Sequence, residues 1–317
     1  MTLKINFTDF WPGFVIEDRN NYFFYLLCKY YDVEISNEPD FLFYSCYGNE
    51  YLKYDCTRIF FSAENMRPDF SGCDFAITFD HNGSTRHFRL PLYAWYIHHY
   101  DSMNSLLKIK TREEALASWR SKSKFCCMVV SNPMAGKRIA FFHSLSKERV
   151  VDSGGAYLNN VGGVVVDKMD FIKDYKFVIS FENSSYPGYT TEKIVQPLIV
   201  DSIPIYWGNP LIGEDFNEGC FLNYDGFPNE KALFQRMIDL ESNEELAVEM
   251  LMEPKFPNNQ IPSYISETEL MRFLNRIFDE GNRSPVAKSY KRFIHYAHRK
   301  MKILYHLKNR LFRKNFR

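Results

Sequence analysis

Residues 181–194 read Phe-Glu-Asn-Ser-Ser-Tyr-Pro-Gly-Tyr-Thr-Thr-Glu-Lys-Ile, the densest stretch of usable chemistry in the chain. An apolar run ends at Phe181, a loop rich in Gly, Pro and Ser follows, and a helix is expected to start near Thr191. Backbone N–H groups at the start of such a helix favour a phosphate. Lys193 adds a full positive charge, Tyr189 offers a ring for a base or a ribose, and Glu192 can accept hydrogen bonds from sugar hydroxyls. The same residues also fit a plain strand-to-helix connection carrying a surface Glu-Lys pair, and the pattern alone leaves both readings open.

The elements that must position these groups follow an α/β rhythm, in which short apolar runs alternate with helix-like stretches as in parallel-sheet proteins. Residues 13–36 read as a helix followed by a strand at 31–35, and further strands are expected at 39–45, 58–62 and 74–79. Residues 101–124 have helical spacing and read as a connection between two halves. The second half then offers strands at 125–130, 150–153, 175–181 and 202–207, with Ser131-Asn132-Pro133 as a turn and a helix from Arg138 to Leu145. Pro197, five residues after Glu192, should kink the helix there or shift its start. Two such halves would present ligand sites at the carboxyl ends of their strands.

Bulk properties narrow the class. The 317 residues suggest two domains, with 45% hydrophobic residues to fill both cores. The aromatic share of 17% fits either an aromatic-rich core or rings that stack on sugars and bases. Seven cysteines, an odd number with no C-x-x-C spacing, predict free thiols in a reducing compartment. No apolar run approaches the length of a membrane span, and residues 1–9 lack the apolar core of a signal peptide. The chain contains no Asp-x-Asp pair, and none of its eight histidines forms an i, i+4 pair with a nearby carboxylate. No metal site is therefore expected.

The 181–194 run, followed by Ile-Pro-Ile-Tyr-Trp-Gly at 203–208, resembles the signature of the α-1,3/1,4-fucosyltransferases. Other segments agree with that family in order: Trp11-Pro12, Val33-Glu34-Ile35-Ser36 with Pro39-Asp40, Glu64-Asn65-Met66-Arg67-Pro68 with Cys73-Asp74-Phe75-Ala76, and Arg89-Leu90-Pro91-Leu92-Tyr93. Ser131-Asn132-Pro133 with Arg138, then Val151-Asp152-Ser153-Gly154-Gly155, open the second half as in the family, and the resemblance spans residues 9–225. Ala63 departs from it, since many members have Gly before the Glu-Asn pair.

The resemblance implies the GT-B arrangement of two facing Rossmann-like domains, GDP-fucose as donor, and inversion at the anomeric carbon. It implies Glu64 as general base, Arg138 and Lys193 on the donor diphosphate, Tyr189 and Asn183 on the nucleotide side, Glu192 on the fucose, and Ser131 and Asn132 beside the nucleotide. The chemistry is consistent. A carboxylate taking the proton of an attacking sugar hydroxyl is typically worth about 10²–10⁴ in rate, and fixed cations stabilise a departing diphosphate. A guanidinium at Arg138 can hold two oxygens at once. With Arg138 and Lys193 in place of a cation, catalysis without metal is expected. The acceptor expected is a GlcNAc-containing oligosaccharide, joined α-1,3 at O3, with Trp11, Tyr93 and Trp95 as candidate contacts. The alternatives are an α-1,4 linkage, another nucleotide sugar, or a non-catalytic binder of a sugar nucleotide.

Charge is balanced overall but uneven. Residues 288–317 carry eleven of the 39 Lys and Arg and none of the 39 Asp and Glu. From Tyr290, apolar residues at Phe293, Ile294, Ala297, Met301, Leu304, Tyr305, Leu311 and Phe312 gather on one helical face. Lys291, Arg292, Arg299, Lys302, Arg310, Arg313 and Arg317 lie opposite. Such a basic amphipathic tail suits an anionic membrane surface, packing on the body being the other reading; nucleic acid is not needed to explain it. The expected organisation is an acceptor-binding domain at 1–124, a GDP-fucose-binding domain at 125–285 and the tail at 286–317, in a cytoplasmic protein that is peripheral at the inner membrane face.

Overall fold

A strand precedes the first helix, beyond those expected from the apolar runs. In Thr2–Thr8 (β1), Leu3, Ile5 and Phe7 alternate with more polar residues and are buried, the two-residue period of a strand. This is a computed structural model, and it describes residues 2–281, 285–298, 300, 301 and 304. After β1 come α1 (Tyr22–Cys28), β2 (Asp32–Ile35), β3 (Phe41–Tyr44), β4 (Thr57–Phe61), β5 (Phe75–Thr78) and β6 (His87–Arg89), then α2 (Leu92–His99), α3 (Met103–Leu107) and α4 (Arg112–Ser121). The second series is β7 (Lys124–Met128), α5 (Gly136–Leu145), β8 (Val151–Ser153), α6 (Lys168–Ile172), β9 (Tyr175–Phe181), α7 (Glu192–Ile199) and β10 (Ile203–Trp207). It is completed by β11 (Leu222–Asn223), α8 (Glu230–Ser242), α9 (Glu244–Met252) and α10 (Glu267–Glu280).

These elements form two compact units. The first unit comprises residues up to 78, 82–89, and those from 267 onward. Its sheet runs β2-β1-β3-β4-β5-β6, and every adjacent pair is parallel. β3 and β4 are buried at every position, as strands of a parallel sheet covered on both faces must be. Asn21 caps α1 by accepting from the Phe24 N–H. Leu270, Phe273, Leu274, Ile277 and Phe278 form the buried face of α10, and the Phe278 ring meets Phe41 edge-on at 4.8 Å. Residues 291–298 are helical and are anchored by the buried His295, whose Nε2 lies 2.6 Å from the Tyr51 hydroxyl and whose Nδ1 lies 3.0 Å from Asp69 Oδ2.

The second unit comprises residues 79–81 and 90–266. Its parallel sheet runs β11-β10-β9-β7-β8, over a core that includes Phe141, Phe177, Phe181, Ile205, Leu233 and Met237. Each sheet reverses its strand order once, between β1 and β3 in the first and between β7 and β9 in the second. Loops at the carboxyl ends of such strand pairs are where open parallel sheets hold ligands.

The units divide the chain elsewhere than at 124 and 285. Residues 90–124 go with the second sheet: Tyr93 of α2 donates to Asp215 at 3.2 Å, and Arg112 and Arg120 of α4 pair with Glu245 and Glu244 of α9. α10 goes back to the first unit, where Tyr31 donates to Asn275 at 2.8 Å and Lys29 pairs with Glu267 at 2.9 Å. An amphipathic stripe declares that a helix is buried on one side, but not against which sheet.

Pro197 neither shifts the start of α7 nor breaks it there. The helix begins at Glu192 and the proline sits in its last turn, and the chain closes with Val200 and Ser202 both donating to the Pro197 carbonyl. All seven cysteines are free, five of them buried. Among the described residues, no helix is long and apolar enough to cross a membrane. Of the predicted tail, Arg299, Lys302, Tyr305 and everything beyond lie outside the described residues.

Candidate active site

In the second unit, the loop after β9 and the start of α7 gather a cluster of charged side chains. Glu182, the first residue after β9, is fully buried. Its carboxylate accepts from the Thr191 N–H at 2.8 Å, from the Thr191 hydroxyl at 2.9 and 2.8 Å, and from Lys193 Nζ at 3.1 Å. A buried carboxylate is tolerated when its oxygens are satisfied in this way. Lys193 also reaches the Thr191 hydroxyl at 2.8 Å and Glu192 at 3.4 Å. The N–H of Thr191, which the helix start would offer to a phosphate, is therefore already given to Glu182.

Arg138 enters the cluster from α5. Its Nε donates to the Phe181 carbonyl at 2.9 Å, and Nη2 bonds the same carbonyl and also Asn183 Oδ1 at 2.8 Å. Nη1 has no hydrogen-bond partner among the described residues, so one arm of the fork is open to an oxygen ligand while the others fix its plane. Asn183 is itself exposed.

The charges set one another. Burial pushes the Glu192 carboxyl up, but Lys193 and Lys168 outweigh it, and the group is held down at about 2. Burial pushes Lys193 down, yet Glu182 and Glu192 prevail and its value is raised. For Glu182, burial wins over Lys193, with Glu192 adding to the rise. Arg138 is lowered by burial, against the pull of Glu182 and Glu192. Lys168, the first residue of α6, is likewise lowered by burial against the pull of Glu192. This third cation was not singled out by the sequence, where it stands in the run Val166-Asp167-Lys168-Met169-Asp170 with no motif around it. The second-unit cluster thus holds three cations and two carboxylates.

The loop is braced from beneath. Asp215, fully buried, accepts from Thr190 at 2.6 Å, Asn209 at 3.0 Å, Tyr93 at 3.2 Å and Tyr264 at 2.8 Å. Asn209 also accepts from the Gly188 N–H at 2.7 Å. Gly188 has φ +81°, and a Cβ there would lie 2.6 Å from the Phe79 carbonyl, so the turn requires glycine. Tyr189 differs from expectation. Its ring is buried, edge-on to Phe79 at 5.0 Å, so it supports the loop and offers no open face for a base. Tyr93 and Trp95 are corrected in the same way: both are buried core residues, whereas Trp11 is partly exposed.

Ser131 and Asn132 lie on the exposed loop after β7, at the strand reversal beside β9. Asn132 Oδ1 accepts from the Met134 N–H at 2.9 Å, and Ser131 Oγ accepts from the Ala156 N–H at 3.5 Å. These contacts shape the loop and leave the side chains at the surface.

In the first unit, Glu64 lies on the loop after β4. Its N–H donates to Ser62 Oγ at 3.1 Å and its carbonyl accepts from the Ser62 hydroxyl at 2.8 Å. Its carboxylate accepts from the Tyr47 hydroxyl at 2.9 Å. Tyr47 comes from the loop after β3, and that loop is tied to the end of β1 by Asp9, which accepts from the Glu50 and Tyr51 N–H groups at 3.0 and 2.8 Å. The Glu64 carboxylate is thus oriented from the strand-reversal side of its sheet. Among the described residues, no group of three His, Cys, Asp or Glu side chains is placed to hold a metal ion.

The alpha-(1,3)-fucosyltransferase FucT N-terminal domain matches residues 5–96, and the glycosyltransferase family 10 (fucosyltransferase) C-terminal model matches residues 119–251. A relative from Helicobacter pylori, "Alpha-(1,3)-fucosyltransferase FucT", is 30% identical over 285 residues, 79% of this chain. The chain spans 60% of that relative's length. A crystal structure of an alpha1,3-fucosyltransferase with GDP superposes with a TM-score of 0.75 at 26% identity, covering 90% of this chain and 92% of that one. One with GDP-fucose gives 0.72 at 25% identity, covering 91% of each. The GT-B fold expected from the sequence is the fold of these structures.

Proposed function

The chain belongs to glycosyltransferase family 10, the fucosyltransferases, and from that premise we propose that it transfers fucose from GDP-fucose to a sugar hydroxyl, inverting the anomeric centre. The observation that carries this reading is the cluster after β9, where Arg138 keeps Nη1 open, Lys193 bonds Glu182 at 3.1 Å and lies 3.4 Å from Glu192, and Lys168 acts on Glu192 through its charge. Three cations against two carboxylates, of which Glu182 is fully buried, leave a site suited to a diphosphate. Glu192, ionised throughout the neutral range, is suited to accept hydrogen bonds from fucose hydroxyls. Asn183, Ser131 and Asn132, exposed on neighbouring loops, serve the nucleotide side.

In this proposal Glu64 takes the proton of the attacking hydroxyl as the bond to the anomeric carbon forms, while the bond to the GDP oxygen breaks and Arg138 and Lys193 receive its growing negative charge. The acceptor class is a GlcNAc-containing oligosaccharide with transfer to O3. Arg138 and Lys193 supply the charge that a divalent cation would otherwise bring, so turnover proceeds without metal.

The proposal extends to the tail. Tyr290, Phe293, Ile294, Met301 and Leu304 are exposed, and an exposed apolar face beside basic residues supports contact with an anionic membrane surface. The corresponding location is the cytoplasmic face of the inner membrane.

The test is product formation from GDP-fucose in EDTA, with N-acetyllactosamine and lacto-N-biose offered in parallel. Fucosylated N-acetyllactosamine, linked α-1,3, is the expected product. A product formed only from lacto-N-biose replaces this linkage with α-1,4, since O3 of its GlcNAc is already occupied. GDP-fucose binding without any product leaves a non-catalytic binder, and no binding removes the donor assignment.

A further inference from the structure

Glu182 does no chemistry in the scheme above, yet it is the most completely enclosed charge in the cluster. Its carboxylate is fully buried and both oxygens are committed: Oε1 to the Thr191 N–H, both to the Thr191 hydroxyl, and Oε2 to Lys193 Nζ at 3.1 Å. The strand beside it leaves room for this side chain and no more, because a Cβ on Gly208 would lie 2.4 Å from Glu182 Cγ. The Glu182 N–H is held too, donating to the Trp207 carbonyl at 2.7 Å. A carboxylate this immobile fixes whatever it binds.

We propose that Glu182 is a positioning residue for transfer, holding the Lys193 ammonium and Thr191, the residue before α7, in the arrangement that the donor diphosphate meets. The inference rests on the reading of Lys193 as a diphosphate ligand. Lys193 is a flexible chain carrying a point charge, unlike the planar fork of Arg138. Three oxygens hold its ammonium: Glu182 at 3.1 Å, Thr191 Oγ1 at 2.8 Å and Glu192 at 3.4 Å. Only Glu182 among them is both charged and fully buried. Without it the ammonium would sit near Arg138 of α5 and Lys168 of α6 with Glu192 as its one nearby carboxylate.

Two consequences separate positioning from mere structural support. Removing the charge while keeping the shape makes the cluster more cationic, so GDP should bind at least as well while turnover falls. Lys193 also loses the larger of the two attractions that raise it, so it should release its proton at lower pH. The groups that act on it are Glu182 from β9, Glu192 from α7, Arg138 from α5 and Lys168 from α6, with Tyr96 and Tyr100 acting on Glu192 and Tyr206 of β10 on Glu182. The alkaline limb of kcat should then move to lower pH.

The experiment compares full-length wild type, Glu182→Gln, Glu182→Asp and Lys193→Ala in kcat and KM for GDP-fucose across pH 7–12, since the wild-type limb lies above 10.5, with GDP affinity by calorimetry and melting temperature alongside. The expected result for Glu182→Gln is a kcat at least tenfold lower, GDP affinity equal or higher, and the downward shift of the alkaline limb, with Glu182→Asp recovering part of that shift. Wild-type kcat and limb in folded Glu182→Gln overturn the inference, as does a loss that merely follows the folded fraction. If Glu182→Gln does not fold, Glu182→Asp decides it: an altered limb supports the inference and an unaltered kcat and limb overturn it. Lys193→Ala keeping wild-type kcat and donor KM would instead remove the underlying reading of Lys193, and this inference with it.

Discussion

The Tyr47 hydroxyl, on the loop after β3, donates to Glu64 Oε1 on the loop after β4 across 2.9 Å. One loop thereby aims the side chain of another, and the candidate base does not depend on its own flexible chain for direction. Glu64→Gln should lower turnover by about 10²–10⁴ with GDP binding unchanged. Tyr47→Phe, which leaves the carboxylate and removes its orienting bond, should lower kcat by about tenfold, the scale of one charged hydrogen bond. Steady-state kinetics with calorimetric GDP titration checks both. A Glu64→Gln enzyme within a few-fold of wild type would remove Glu64 from the base role.

Arg138 spends two of its three nitrogens on Phe181 and Asn183. Lysine cannot reproduce that fork. Arg138→Lys should therefore weaken GDP binding about tenfold or more, and also lower the melting temperature, because the buried Phe181 carbonyl loses partners at a cost of about 1–3 kcal/mol. Calorimetry and thermal melts of the same sample separate the two effects. Unchanged GDP affinity in a destabilised protein would make Arg138 structural only.

Glu192 is held at about 2 in the folded chain, below its ordinary value of 4.5. A carboxyl whose folded value is depressed contributes stability that is complete above the unfolded value and is lost as pH falls toward the folded one. The window here is pH 4.5 down to 2. The melting temperature of Glu192→Gln should therefore lie below that of wild type at pH 6, and the gap should close as pH falls through this window. A gap independent of pH between 6 and 3 would show that Lys193 and Lys168 do not stabilise the ionised carboxylate.

The exposed apolar residues of the 291–298 helix give a test that spares its anchor. Replacing Phe293 and Ile294 by serine leaves His295 on Tyr51 and Asp69. Co-sedimentation with anionic vesicles should fall several-fold, while activity on a soluble acceptor stays at the wild-type level. Vesicle binding that persists at wild-type strength would sink the membrane proposal.

Local pattern determined a good part of this protein. The apolar run 175–181 is β9 to the residue, the helix starts after Thr191 as its loop chemistry predicts, and the odd, unpaired cysteines are free. These features depend on neighbours in sequence. The 181–194 run also carried the family, because its spacing is itself the arrangement of a strand end, a loop and a helix start.

Tertiary structure decided the rest. The three-residue β6 is a strand because its parallel neighbour completes its hydrogen bonds, and so short a run shows little period by itself. α2–α4 and α10 change units because a helical stripe does not name its partner sheet. Tyr189 and Tyr93 turn inward because Phe79 and Asp215 wait there, though their types suited an exposed platform equally well. Lys168 joins the cluster from 24 residues before Glu192 in the chain. Glu182 becomes a buried anchor only because Gly208, Thr191 and Lys193 enclose it. Burial and electrostatic coupling are properties of the assembled surroundings, which residue type and spacing do not contain.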